Sequence, residues 1–318
     1  MKKNLPKILS ISLVGIALAL LAVVYSHKVN AQESIRTITI SPPSISLNLN
    51  PGEKTEGTLK LINNGDAPLT FSAETRDFIV TDTQGTPHIV GDGEPQDTRF
   101  QASSWLGVYP GTFTVQPHQK QELSYFIQVP YSAKPGGHYA AVVYTPVLTG
   151  GAKGSGTSIN SEMGTLFLIG INGPITENAI VSFFSAPFTE YGPVNLTTQI
   201  QNLGDLHIRP VGNIIVTDML GKKEIAALDQ QNIFPGGGAR NYTNVIGKGF
   251  MLGRYEAKLA ATYGRNNDKF LVATVAFWVF PWKITLVIIL IIVAIILYFK
   301  LMRKKKITKE TPEDETAN

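Results

Sequence analysis

The chain of 318 residues contains no cysteine. That removes disulfides, thiol nucleophiles and thiolate metal sites at once. An exported chain of this composition must be held together by core burial alone. Catalytic groupings are also missing. Beyond residue 31 there are four histidines, His88, His118, His138 and His207, and no pair has His-Glu-x-x-His spacing. Gly154-Ser155-Gly156 lacks the Gly-x-Ser-x-Gly frame. Gly247-Lys248-Gly249 lacks the Ser/Thr of a phosphate loop. A non-enzymatic protein with no metal and no cofactor is therefore expected.

A strong charge of one sign is absent too. The formal net charge is +4, yet residues 32–280 hold 17 Lys+Arg against 20 Asp+Glu, a net of −3. The basic excess lies at the two ends, so no nucleic-acid footprint exists.

Those ends carry the long apolar runs. Lys2, Lys3 and Lys7 precede the apolar stretch Ile8–Tyr25, and Val29-Asn30-Ala31 suits a cleavage site. Residues 1–31 thus read as a signal peptide. An uncleaved N-terminal anchor is the alternative. Residues 280–301 are long and apolar enough to span a bilayer as one helix. Trp278 and Trp282 mark one interface and Tyr298 the other. Arg303, Lys304, Lys305 and Lys306 open a basic tail over 302–318, expected to be cytoplasmic and close to anionic lipid. The predicted location is the cell membrane, single-pass, with the N-terminal domains extracellular.

Between the ends, apolar residues recur every second position. Leu69, Phe71 and Ala73 form one such row. Leu123, Tyr125, Ile127 and Val129 form another, and Tyr255, Ala257, Leu259, Ala261 and Tyr263 a third. Period-2 alternation predicts half-buried antiparallel strands. Ala140–Tyr144 is apolar on both faces and is expected to be a central strand. Asn64-Gly65 between two such runs predicts a tight hairpin.

One order of features occurs twice. Asn63-Asn64-Gly65-Asp66 corresponds to Asn202-Leu203-Gly204-Asp205, Gln116-Pro117 to Phe234-Pro235, and Gly137-His138-Tyr139 to Gly253-Arg254-Tyr255. The predicted fold class is all-β: two tandem immunoglobulin-like β-sandwich domains, over 32–173 and 174–279, followed by a single transmembrane α-helix. The first copy carries about 21 extra residues, placed as an inserted loop at about 78–105. The Gly/Ser-rich stretch 149–158 is read as an inner loop between two strands.

Extra loops on a rigid sandwich are common binding sites. The candidate partner-binding residues are Asp82, Asp92, Glu94, Trp105 and Tyr109. With Asp97, the acidic residues supply oxygen ligands suited to calcium, but their spacing fits no named calcium loop, and a solvated loop is expected. Trp105 and Tyr109, if exposed, would stack on a sugar ring or anchor a protein; buried, they are sandwich core, the better reading.

Pro51-Gly52-Glu53, Asn63-Asn64-Gly65-Asp66 and Pro135-Gly136-Gly137-His138-Tyr139, within this layout, resemble the bacterial WxL-interacting surface proteins. The resemblance implies a peptidoglycan-binding-type first domain and a host-binding second domain. It transfers a surface-attachment role and no individual binding residue. The expected partner is cell-wall glycan or another surface protein, with membrane lipid around the C-terminal helix. The sandwiches are also similar to those of pilus-assembly chaperones, which lack the membrane anchor. That likeness implies the alternative: a chaperone-like assembly role for pilus or surface-layer subunits by strand addition. The outer, first domain with its insertion is the expected binding region.

Overall fold

The computed structural model describes residues 38–91, 93–94, 97–147, 163–247 and 251–307. The signal peptide, Asp92, the 149–158 loop and the end of the tail lie outside the described residues.

Two sandwiches follow one another. In the first, one sheet has the order β1 (Ile38–Ser41), β3 (Lys54–Asn63), β8 (Lys120–Gln128) and β6 (Leu106–Tyr109). The facing sheet runs β2 (Ser44–Leu49), β10 (Met163–Ile171), β9 (Gly136–Pro146), β4 (Leu69–Ile79) and β5 (His88–Ile89), with β7 (Thr112–Val115) also on β4. Pro42-Pro43 interrupts the first strand, because proline cannot donate to a ladder. The chain changes sheets there: β1 pairs antiparallel with β3, and β2 pairs parallel with β10. β9 is central, and Gly137–Tyr144 is buried throughout, which explains its two-sided apolar sequence.

The second sandwich packs β11 (Ala179–Ser185), β12 (Val194–Asn202) and β15 (Ala239–Ile246) against β14 (Lys223–Ala227), β13 (Val211–Asp218), β16 (Gly253–Tyr263) and β17 (Lys269–Val279). Each sandwich has its own core. Leu123, Tyr125, Ile127 and Val129 are buried in the first, and Ala257, Leu259, Ala261 and Tyr263 in the second.

The Asn64-Gly65 hairpin does not form. β3 and β4 lie in opposite sheets, so this turn crosses the sandwich. The cause is the preceding residue. Asn63 is fully buried; its Nδ2 donates to Ala67 O (2.7 Å) and Val115 O (3.1 Å), and its Oδ1 accepts from Gly65 N (2.9 Å). Asn202 repeats this bracket in the second sandwich, donating to Leu206 O (2.8 Å) and Ile233 O (2.9 Å) and accepting from Gly204 N (2.9 Å). The turns reached by the two brackets also match. His118 (φ 56°) and Gly236 (φ 79°), each following a proline, are both left-handed.

The helix α1 (Trp282–Ile307) starts three residues after β17. Its segment Trp282–Lys300 is long and apolar enough to cross a membrane, and none of it is buried against the sandwiches. The helix continues past residue 301, so Arg303–Lys306 lie in its last turns.

Candidate functional site

The insertion is not an outward-facing loop. It is the seam between the two sandwiches. Asp77 closes its base, with Oδ1 accepting from the amides of Ala102 (2.8 Å) and Ser103 (2.7 Å) and Oδ2 from Ser103 Oγ (2.8 Å). Asp82 orders the tip by accepting from the amides of Gln84 (3.1 Å) and Thr86 (2.9 Å). The Thr86 side-chain and backbone hydrogen bonds hold its carboxyl below the usual range. That tip reaches the second sandwich, where Asn241 N donates to Thr83 O (2.7 Å) and Asn241 Nδ2 to Thr83 Oγ1 (3.0 Å).

Further contacts seal the seam. Arg99 forms an ion pair with Asp205. Asp205 Oδ2 also accepts from Thr176 N (2.8 Å), and this bond, reinforced by Arg99, lowers its pKa. Arg265 donates to Ile171 O (3.0 Å). Phe78, Tyr139 and Phe234 make a shared aromatic cluster, with Tyr139 and Phe234 centroids 4.9 Å apart. Tyr139 Oη accepts from His207 N (3.1 Å), and burial raises its pKa.

His207 packs edge-to-face against Tyr139 in this seam, and its Nδ1 lies 3.2 Å from the Tyr139 hydroxyl. Burial, reinforced by the Arg265 charge, pulls its pKa from 6.5 to about 4. An unfolded chain takes up a proton below 6.5 that the folded one refuses. The contribution is therefore complete above pH 6.5 and lost as pH falls towards 4. Denaturant titrations should show a loss of about 3 kcal/mol across that window, and His207→Phe should flatten the slope.

The candidate residues from the sequence do not converge. Glu94 binds His88 Nε2 at 3.1 Å, which lowers the carboxyl's pKa, and Asp97 accepts from Arg99 N (2.9 Å). Each described acidic residue of the insertion serves a local turn or pair. Among the described residues, no group of three acidic or imidazole side chains is placed to hold a metal ion. Trp105 is half-buried against the first core, with its ring 4.4 Å from that of His138. It edges a groove of about 460 Å³ shared with Asp97, Arg99, Gln101, Lys134 and His138. Tyr109 lies outside this groove and is 74% exposed. Sugar stacking by this pair together is therefore not provided for.

A feature the sequence reading missed lies in the second sandwich. Most sheet edges here are protected. β1, β6 and β7 have four residues each, β5 two and β14 five. β2 has six, and β11 is broken by a bulge between Val181 and Phe183. β15 is capped by Thr83. β17 differs. It is an edge strand of eleven residues whose only ladder is with β16; a single bridge from Thr189 covers its last residue, Val279, and after Lys269 it has no charge, proline or glycine. Its inner face is Leu271, Phe277 and Val279. Its outer row includes Phe270 (74% exposed), Val272 (61%) and Trp278 (54%). Register extends that row across the sheet: Phe270 pairs with Thr262, which pairs with Val211. The half near Phe270 is uncharged on this face, with Thr262 and Asn213 among its apolar residues, while Arg254, Glu256 and Lys258 occupy the half near the helix. The missed signal was the absence of charge from 270 to 279.

No family model and no curated protein matches this chain. Solved structures do. One is a chaperone–tip adhesin complex of CFA/I fimbriae biogenesis, with 14% identity and a TM-score of 0.38, covering 75% of this chain and 98% of that one. The class 5 fimbriae chaperone CfaA gives 13% and 0.37, covering 74% and 98%. The Pseudomonas aeruginosa CupB2 chaperone gives 9% and 0.34, covering 75% and 98%.

Proposed function

We propose that this chain is a non-enzymatic, single-pass membrane protein that binds a protein partner at the cell surface by taking a strand onto β17. The carrying observation is the unprotected edge. A long, apolar, unpaired strand is an aggregation hazard that folded proteins ordinarily blunt. Among the described residues the other edges are short, bulged or capped near their middle, whereas β17 is touched only at its last residue and is open from Phe270 to Trp278. A partner strand would satisfy its outward amides and carbonyls and extend the Val211–Phe270 row. The basic residues Arg303–Lys306 set the tail inside and both sandwiches outside.

Such binding fits an assembly or chaperone-like role, as in the solved chaperones. It also suits the layout of WxL-interacting surface proteins, with a surface protein as the ligand. The glycan reading has less support, because Trp105 spends one ring face on His138.

A photocrosslinking residue at Thr274 in native membranes should give a discrete protein adduct. The double variant Phe270→Lys/Val272→Lys removes two side chains worth about 1.5–3 kcal/mol each on burial. Adduct yield should fall at least about tenfold, with unchanged thermal stability. An unchanged yield would reject the edge. Binding to isolated cell wall that survives the double variant would favour glycan instead.

A further inference from the structure

We infer that the helix-proximal end of the second sandwich rests on the bilayer, with its loop tips immersed in the interfacial layer; this rests on the proposed membrane anchoring. Register collects several loops at that end. Val279 pairs with Gly253, Asp218 with Tyr255, and Val194 with Ile246. The 186–193 segment, the 219–222 turn and the residues Gly247, Met251 and Leu252 therefore lie around the start of α1.

Their exposed large side chains are mostly apolar, with Lys222 the exposed cation of the 219–222 turn. Phe188 is 62% exposed, Tyr191 41%, Met219 67%, Leu220 89% and Leu252 48%. Large apolar residues at the tips of several adjacent loops have no solvent-side explanation. The carboxylates beside them are occupied, while Lys222 and Lys223 are exposed. Asp218 accepts from the amides of Leu220 and Lys222, both at 2.9 Å, and Glu224 from Gly247 N (3.1 Å).

The occupant is fixed by chain length and bonding. Only Phe280 and Pro281 separate β17 from α1, a reach of about 10 Å from Val279 to Trp282. Phe280 N donates to Thr189 O (3.0 Å), and Lys283 Nζ lies 2.9 Å from Glu190. The 186–193 loop is thus bonded to the first turn of the spanning helix. Wherever Trp282 meets the interface, these tips meet it too. Apolar side chains lead the contact, so a neutral phosphatidylcholine bilayer is sufficient to test it.

The absence of cysteine permits single-site labelling. The full chain is placed in phosphatidylcholine vesicles carrying spin-labelled lipid, with a fluorophore at Leu220→Cys, Phe188→Cys, Ile292→Cys or Tyr131→Cys. Quenching is expected at 220 and 188 by shallow spin labels, at 292 by deep ones, and none at 131. Quenching at 292 without quenching at 220 and 188 overturns this inference and leaves the anchor intact. No quenching at 292 removes the anchor, and this inference with it.

Discussion

Asn202→Ala is expected to destabilise the second sandwich by about 3–5 kcal/mol, more than any surface change in the protein. The side chain is fully buried and makes three hydrogen bonds, two to carbonyls and one from an amide. Alanine leaves Leu206 O, Ile233 O and Gly204 N without these partners, and each buried unsatisfied group costs about 1–3 kcal/mol. Asn202→Asp should also fail, because a carboxylate cannot donate to the two carbonyls. Asn63→Ala should do comparable damage in the first sandwich, where the same bracket stands. Urea denaturation of the solubilised full chain measures both. A loss below about 1 kcal/mol would mean the brackets are not structural.

Tyr139→Ala is expected to cost about 3–5 kcal/mol and to split thermal unfolding into two transitions. Tyr139 comes from the central strand of the first sandwich, yet its ring packs on Phe234 and its hydroxyl accepts from His207, both in the second. Removing it opens a cavity at the seam and uncouples domains that otherwise unfold together. Tyr139→Phe keeps the ring and loses the two hydroxyl hydrogen bonds to His207, at its amide and its Nδ1, so about 1–3 kcal/mol with a single transition is expected. Calorimetry distinguishes the cases. One transition with Tyr139→Ala would mean the insertion clamp alone couples the domains.

The strands were legible because a half-buried strand has to alternate, as Leu123–Val129 and Ala257–Tyr263 do. The repeat was legible through Asn63 and Asn202, but its mechanism was not. Asn-Gly reads as local turn chemistry, whereas these asparagines reach carbonyls 52 and 31 positions away. The insertion lies at the seam between the sandwiches, a docking that its loop-like sequence did not announce. Its docking depends on the pairing of Thr83 with Asn241, 158 positions apart, and no local pattern encodes that. β17 was hidden because its apolar end runs almost directly into the spanning helix, and only sheet order shows it to be an edge.

Backbone amide exchange along β17 tests the account most directly. In the purified full chain, the alternate amides facing away from β16 should exchange rapidly while β16 stays protected. In native membranes the same amides should become protected, and Phe270→Lys/Val272→Lys should abolish that protection. Equally fast exchange of these amides in native membranes and in the purified protein would contradict the claim that β17 takes up a partner strand.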